Sequence, residues 1–304
     1  MNTLRMTERE KLAMVVGAAG RHNMLFLGSP VCGRSLLLEK LRELLPPLTE
    51  EEAESVNRIK SLAGLMWESC NWLEVPFRQP HMTASIEGMC GGGPNCRPGE
   101  ISLAHNGVLF LDEAAEFKSP VLQMLRVPLE TGKITLSRAG RASVYPADFQ
   151  LIMATNPCPC GHYGSRDKIC LCSMRSVELY WKKFPAPLLD RMEIVLNVEN
   201  ENDEDRKDYD IEELKAEVKK AVERQRKFGK RYARLDETDL AKWEVSTNAK
   251  ASLQTLIEHN DLSPRRKRGV LRVAATIASL DSSERFIDDN ILEKAVYLLD
   301  IRPL

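Results

Sequence analysis

The sequence predicts an α/β fold: a nucleotide-binding domain built on a parallel sheet, followed by a small helical lid. Three observations carry this. Short apolar runs, Met24-Leu25-Phe26-Leu27, Val108-Leu109-Phe110-Leu111 and residues 149–154, alternate with helix-like segments, as strands buried on both faces do. The first run leads into Gly28-Ser29-Pro30-Val31-Cys32-Gly33-Arg34-Ser35 and then Leu36-Leu37-Leu38, the strand, loop, helix layout of a phosphate-binding loop. Beyond the acidic stretch 199–205, the periodic segments have helical spacing.

Composition narrows the class. A chain of 304 residues suggests two domains, and 43% hydrophobic with 29% charged residues is an ordinary globular balance. The net charge of −1 gives no global pull toward nucleic acid or membrane, so a nucleic-acid site has to be a local basic patch. No run approaches the roughly 18–20 apolar residues of a membrane span, and the first twenty residues lack the apolar core of a signal peptide. The expectation is a cytoplasmic protein without a membrane partner. Its eight cysteines are then reduced, and their clustering points to metal rather than disulfides.

In chain order, a helix is expected over 9–19, ending near Gly20, then the strand 24–27. A helix over 34–45 is stopped by Pro46-Pro47. Thr49-Glu50-Glu51-Glu52 is a helix start, with acids suited to the first turn, and opens a helix to about 62. Residues 76–107 read as an irregular glycine-rich insert, a length of loop that is usually functional. The strand 108–111 ends in Asp112-Glu113, and 119–129 reads as a helix. Residues 133–136 and 142–145 form a hairpin turning at Arg138-Ala139-Gly140-Arg141. The strand 149–154 ends at Thr155-Asn156-Pro157, and 194–198 is a further strand after Leu188-Leu189-Asp190-Arg191. In the helical part, 211–228 carries Leu214, Val218 and Val222 at helical spacing. Ser263-Pro264 is a good N-cap and first-turn pair ahead of the stripe Val270, Val273, Ala274, Ile277, and a last helix covers 290–300. The expected domains are 1–198, an acidic linker 199–210, and a helical lid 211–304.

The loop 28–35 fits G-x-x-x-x-G-K-[ST] except that Arg34 replaces lysine. Its backbone N–H groups and the following helix N-terminus suit phosphates, and the Ser35 hydroxyl suits Mg²⁺. Asp112 is placed to hold the metal and Glu113 to face an attacking water. Asn156 has an amide that orients such a water, although an asparagine before proline is commonly a plain turn residue. Cys158-Pro159-Cys160 and Cys170-Leu171-Cys172 are two C-x-C pairs separated by nine residues, with Gly161, His162 and Gly164 between. Four thiolates suit a tetrahedral Zn²⁺ site; the alternative is reduced cysteines packed in a loop. Cys90 and Cys96 flank the triple glycine as a weaker metal pair. Lys133, Arg138 and Arg141 give the hairpin a basic tip of the kind that tracks a phosphate backbone. The basic residues of 215–227 are interleaved with Glu212, Glu213, Glu217 and Glu223 and read as a salt-bridged, solvated face.

Several ordered stretches together resemble the ComM/YifB family of magnesium-chelatase-like AAA+ ATPases. They are Pro76-Phe77-Arg78-Gln79-Pro80-His81 with Thr83-Ala84-Ser85, the run from Arg97 through Ala104-His105-Asn106-Gly107 to Asp112-Glu113, Pro128-Leu129-Glu130, Asn156-Pro157-Cys158-Pro159-Cys160-Gly161, Pro187-Leu188-Leu189-Asp190-Arg191 and Leu271-Arg272-Val273-Ala274. The resemblance runs from about Ala18 to the end of the chain. It implies an AAA+ core with ATP and Mg²⁺ as cofactors, 28–35 as Walker A, and Asp112 and Glu113 as Walker B. It also implies Asn156 as sensor 1, Arg191 as an arginine finger serving a neighbouring subunit, and Arg265 as sensor 2. A homo-oligomeric ring follows, a hexamer, or co-assembly with a full-length homologue. The insert 76–107 and the hairpin 133–145 are expected to face its channel, with single-stranded or branched DNA as partner. Relatives insert magnesium into porphyrin, so a chelatase-type motor is an alternative. The family's N-terminal Lon-protease-like domain is not among the 304 residues. Arginine is planar and forked where lysine is a compact point charge, and Val31-Cys32 stiffens the loop. Weakened nucleotide binding and slow or absent hydrolysis are therefore expected, with a binding-only subunit as the second reading.

Overall fold

The computed structural model describes residues 3–28, 34–65, 71–138, 141–164, 168–198, 205–260, 262–281 and 285–299. It is a mixed α/β protein with parallel strands and a C-terminal helical region, as the sequence predicts. The chain divides into two compact units, one of Met1–Pro46, Gly161–Leu171 and Leu189–Leu304, the other of Pro47–Cys160 and Cys172–Leu188.

The first unit opens with β1 (Thr3–Met6), α1 (Glu8–Gly20), β2 (Met24–Leu27) and α2 (Arg34–Leu44). Helix α1 starts in a capping box. The Thr7 hydroxyl accepts the Glu10 N–H at 3.1 Å, and the Glu10 carboxylate accepts the Thr7 N–H at 2.9 Å. The strand β2 is buried at every position, which is why it reads as an unbroken apolar run.

The second unit begins with α3 (Glu50–Ala63), whose Thr49 and Glu52 form another capping box, as the sequence suggests. The insert read as irregular contains short elements: β3 (Phe77–Arg78), α4 (Ile86–Cys90), β4 (Gly91–Gly92), β5 (Arg97–Pro98) and α5 (Glu100–Leu103). The glycines have a steric purpose. A Cβ on Gly91 (φ 99°) would lie 2.3 Å from the Arg97 carbonyl oxygen, and one on Gly99 would lie 2.3 Å from the Gly91 nitrogen. The two arms of this ribbon therefore meet only because neither carries a side chain there. Next come β6 (Val108–Leu111), α6 (Ser119–Met124), α7 (Arg126–Thr131), β7 (Lys133–Arg138), β8 (Arg141–Pro146) and β9 (Gln150–Thr155). The single helix expected over 119–129 is two helices. Pro128 has no N–H to give the Met124 carbonyl and its ring crowds that carbonyl, so the helix breaks one turn earlier at Leu125. In this unit β3 pairs with β6 and β6 with β9, all parallel.

The chain then forms α8 (Met174–Trp181) and α9 (Ala186–Leu189). Back in the first unit, β10 (Ile194–Asn197) pairs with β2 in parallel, Ile194 opposite Met24 and Asn197 opposite Leu27. Then β11 (Lys207–Asp210) pairs antiparallel with β1, a ribbon the sequence reading did not contain. The helical region comprises α10 (Ile211–Phe228), α11 (Glu237–Leu240), α12 (Thr247–Asn260), α13 (Pro264–Asp281) and α14 (Asp289–Leu299). The short β12 (Glu244–Val245) and β13 (Phe286–Ile287) lie between. The predicted stripe of α13 is buried at Val270, Val273, Ala274 and Ile277. One half-buried basic residue of α10 is tied to the fold: the Arg224 guanidinium donates to the Ser279 carbonyl and, at 3.0 Å, to that of Leu280. It thus satisfies acceptors that a helix C-terminus leaves open. Among the described residues no helix is long and apolar enough to cross a membrane.

Candidate functional site

In the second unit, β6 and β9 run side by side with Leu111 opposite Met153. Asp112 follows the end of β6 and Asn156 the end of β9, so both leave the carboxyl edge of neighbouring parallel strands. Open α/β sheets bind ligands at that edge. Asp112 and Glu113 are exposed. The Asp112 carboxylate accepts the Glu113 N–H at 3.0 Å, and Glu113 sits at φ 48°. A left-handed conformation costs a non-glycine residue on the order of 1–3 kcal/mol, and such strain gathers at functional sites. Asn156 is half-buried, and its side-chain oxygen is buried without a hydrogen-bond partner. Leaving such an acceptor open costs about 1–3 kcal/mol. Two accessible carboxylates at the end of one strand and an asparagine after the end of the next fit Mg²⁺ and a polarised water, since magnesium takes oxygen ligands and keeps several waters.

Asn156 is held by its surroundings. The hydroxyls of Thr155, at the end of β9, and Tyr180, on α8, are hydrogen-bonded at 2.7 Å, and the Trp181 indole N–H donates to the Pro157 carbonyl at 3.1 Å. Burial pushes the Tyr180 phenol up, outweighing the Thr155 hydrogen bond, so it stays neutral.

In the first unit, Gly28 ends β2 at φ 146°, a backbone that side chains disfavour. Ser29, Pro30, Val31, Cys32 and Gly33 lie outside the described residues. Arg34 and Ser35 open α2, and their side chains are likewise outside the description. Arg191 is half-buried, and its carbonyl accepts the Asn23 amide N–H at 3.0 Å. Arg265 lies in the first turn of α13, where the Ser263 hydroxyl accepts the Arg266 N–H at 3.3 Å, the cap expected from Ser263-Pro264.

Sequence reasoning missed a buried polar cluster that ties α13 to the Asp190–Glu193 segment. The His22 ring faces the Glu193 carboxylate at 2.8 Å through Nδ1 and the Thr276 hydroxyl at 2.7 Å through Nε2. Arg272 donates to Glu193 at 3.4 Å and to the Leu235 carbonyl at 2.7 Å, and Arg266 stands 3.5 Å from Asp190. Burial alone would raise the Glu193 carboxyl, but His22 and Arg272 outweigh it and hold Glu193 below the usual carboxylate range. These partners are scattered over more than 250 residues, so no local pattern announces them.

The hairpin of β7 and β8 brings Arg138 opposite Arg141 beside its tip. Tyr145 on β8 donates its hydroxyl to the Cys96 carbonyl at 2.8 Å, tying the hairpin to the turn between β4 and β5. Arg78 grips Glu100 with two hydrogen bonds of 2.7 Å, and that hydrogen bonding, against burial, raises the guanidinium pKa further. Cys90 and Cys96 are buried, and burial pushes the Cys90 thiol up, as in a neutral core cysteine. The four cysteines of 158–172 differ. Their Sγ atoms lie within 4.8 Å of one another, and among the described residues they are the cluster placed to hold a metal ion.

The parallel strands, the acidic strand end, the sensor-like asparagine and the helical C-terminal region define an AAA+ type α/β protein. The family model "Magnesium chelatase, subunit ChlI" matches residues 1–206, and "Magnesium chelatase, subunit ChlI C-terminal" matches 210–298. The YifB protein of Salmonella typhimurium is 38% identical over 298 residues, 95% of this chain and 58% of its own length. The competence protein ComM of Haemophilus influenzae is 35% identical over 319 aligned positions, 100% of this chain and 62% of its own length. The chain belongs to the magnesium-chelatase-like ComM/YifB family. It spans about three fifths of the length of these relatives.

Proposed function

We propose that this chain is the ATP-handling part of a ring-forming AAA+ motor that acts on single-stranded or branched DNA, and that Arg34 slows its hydrolysis. The observation that carries the reading is the acidic end of β6 at the same sheet edge as the Asn156 end of the neighbouring β9, where a metal ligand and a base for water belong. On this reading the residues 28–35 hold the phosphates and Ser35 and Asp112 hold Mg²⁺. When bound, the metal neutralises charge developing on the phosphates. The Glu113 carboxylate takes the proton of the attacking water, and Asn156 aligns that water by accepting its other O–H. Arg191 serves the nucleotide of a neighbouring subunit and Arg265 the one held by its own. The cofactors are ATP and Mg²⁺, with zinc at the cysteine loop. The DNA part is supported by the basic hairpin and by a relative named for competence.

The test is steady-state ATP turnover of the native chain and of Arg34→Lys, each with and without single-stranded DNA. Arg34→Lys is expected to turn over at least tenfold faster, and DNA to stimulate it. Equal, robust rates in both would remove Arg34 as a brake. The arginine itself favours a second reading, a subunit that binds nucleotide without hydrolysing it. That reading gains if the native chain turns over nothing alone yet changes the rate of a full-length relative mixed with it.

A further inference from the structure

We propose that the loop 158–172 is a zinc knuckle in which Cys158, Cys160, Cys170 and Cys172 hold one structural Zn²⁺, and that this ion fixes the strand end carrying Asn156. Cys158 and Cys160 are two residues apart on one arm of the loop, and Cys170 and Cys172 are two apart on the other. The four Sγ atoms lie within 4.8 Å of one another, with Cys158 and Cys160 3.4 Å apart. Four thiolates at about 2.3 Å from a tetrahedral zinc stand about 3.8 Å from each other, so the thiols are already close to the spacing the ion demands.

The bland explanation for clustered thiols is apolar packing, and the loop does not offer it. Only Cys158 is buried; Cys160 is exposed, and Cys170 and Cys172 are half-exposed. Between and before the last two, Ile169 and Leu171 are 83% and 89% exposed. An arm that turns its cysteines toward one point and its large apolar residues to water is not held by hydrophobic burial. Metal binding is an interaction that gathers such exposed cysteines, as in small metal-dependent domains. The first ligand lies two residues after Asn156, and the Pro157 carbonyl between them is held by Trp181. Zinc on one side and Trp181 on the other would clamp the peptide on which Asn156 is mounted.

The experiment measures metal in the whole chain, purified and then reconstituted with Zn²⁺ in reducing buffer. About one tightly held zinc per chain is expected, and Co²⁺ substitution should give the intense thiolate-to-cobalt charge-transfer bands and visible bands of a tetrahedral four-thiolate site. Cys170→Ser should lose most of that zinc, whereas Cys90→Ser should keep it. Removing the zinc with a chelator should speed proteolytic cleavage within 161–171 at least several-fold. No stoichiometric zinc in the reconstituted native chain, or full zinc in Cys170→Ser, overturns the site. Because the cobalt spectrum is read on the unmutated chain, a variant that misfolds does not decide the matter. Stoichiometric zinc with an unchanged cleavage rate overturns the clamping of the loop.

Discussion

At the scale of single residues, Glu113 combines exposure with a strained backbone, and Asn156 combines burial with an unused acceptor. Each is unfavourable to the fold alone, and a bound, polarised water makes use of both. Replacing Glu113 with Gln keeps size and polarity and removes the base. Turnover should fall by about 10²–10⁴-fold, the usual worth of a general base, while affinity for a fluorescent ATP analogue stays within a few-fold. The measurement belongs in whichever of the native chain and Arg34→Lys hydrolyses faster. Turnover preserved in Glu113→Gln would assign the proton to another group. Both residues were legible in the sequence because each follows an apolar run that can only be a buried strand. What the sequence could not reveal is the left-handed turn at Glu113, since that conformation is imposed by the chain around it.

At the scale of elements, α13 joins the Asp190–Glu193 segment through charged pairs, and the two candidate arginines of the first unit, Arg191 and Arg265, stand on its two sides. Glu193 is the hub. It is fully enclosed by its neighbours and ionised because His22 and Arg272 more than offset the cost of its burial. Converting it to Gln leaves Arg272 without its countercharge and His22 without its carboxylate partner. Losing one member of a buried pair costs about 3–5 kcal/mol, or at least about 6 °C in Tm at roughly 2 °C per kcal/mol for a chain of this size. The sign with pH follows from a depressed carboxyl. Its contribution is complete above the unfolded value of roughly 4.3 and is lost as pH falls through the lower folded value. The Tm gap between native and Glu193→Gln should therefore shrink as pH falls below the unfolded value, as thermal melts in matched buffers would reveal. A gap that grows on acidification would show that Glu193 is protonated in the fold. Elements with a strong local signal, such as β2, β6, α10 and the Ser263-Pro264 cap, were readable from the sequence. The break at Leu125 was also written there, in Pro128, but the apolar positions on either side run through it. The β1 and β11 ribbon was not readable, since each strand has four residues and becomes a strand only on finding the other 200 residues away.

At the scale of the whole molecule, a net charge of −1 means that any hold on DNA has to come from local fields. The hairpin of β7 and β8 concentrates such a field, with Arg138 and Arg141 cross-strand neighbours at the tip and Lys133 at its base. Neutralising a phosphate releases counterions, and for single strands log Kd changes with log salt by about 0.7 per contact. Replacing both arginines with Ala should therefore weaken binding to a fluorescent single-stranded oligonucleotide and reduce the magnitude of the salt slope by about 1.4 for each subunit engaged. Basal ATP turnover should be retained, because the hairpin is not part of the acidic strand end. Titrations in the presence of a nucleotide analogue, from low to moderate salt, provide the slope. If the double variant binds with an unchanged slope, residues other than this arginine pair hold the DNA. If the native chain itself binds no single-stranded or branched DNA at low salt, the DNA part of the proposal falls and the chelatase-type alternative takes precedence.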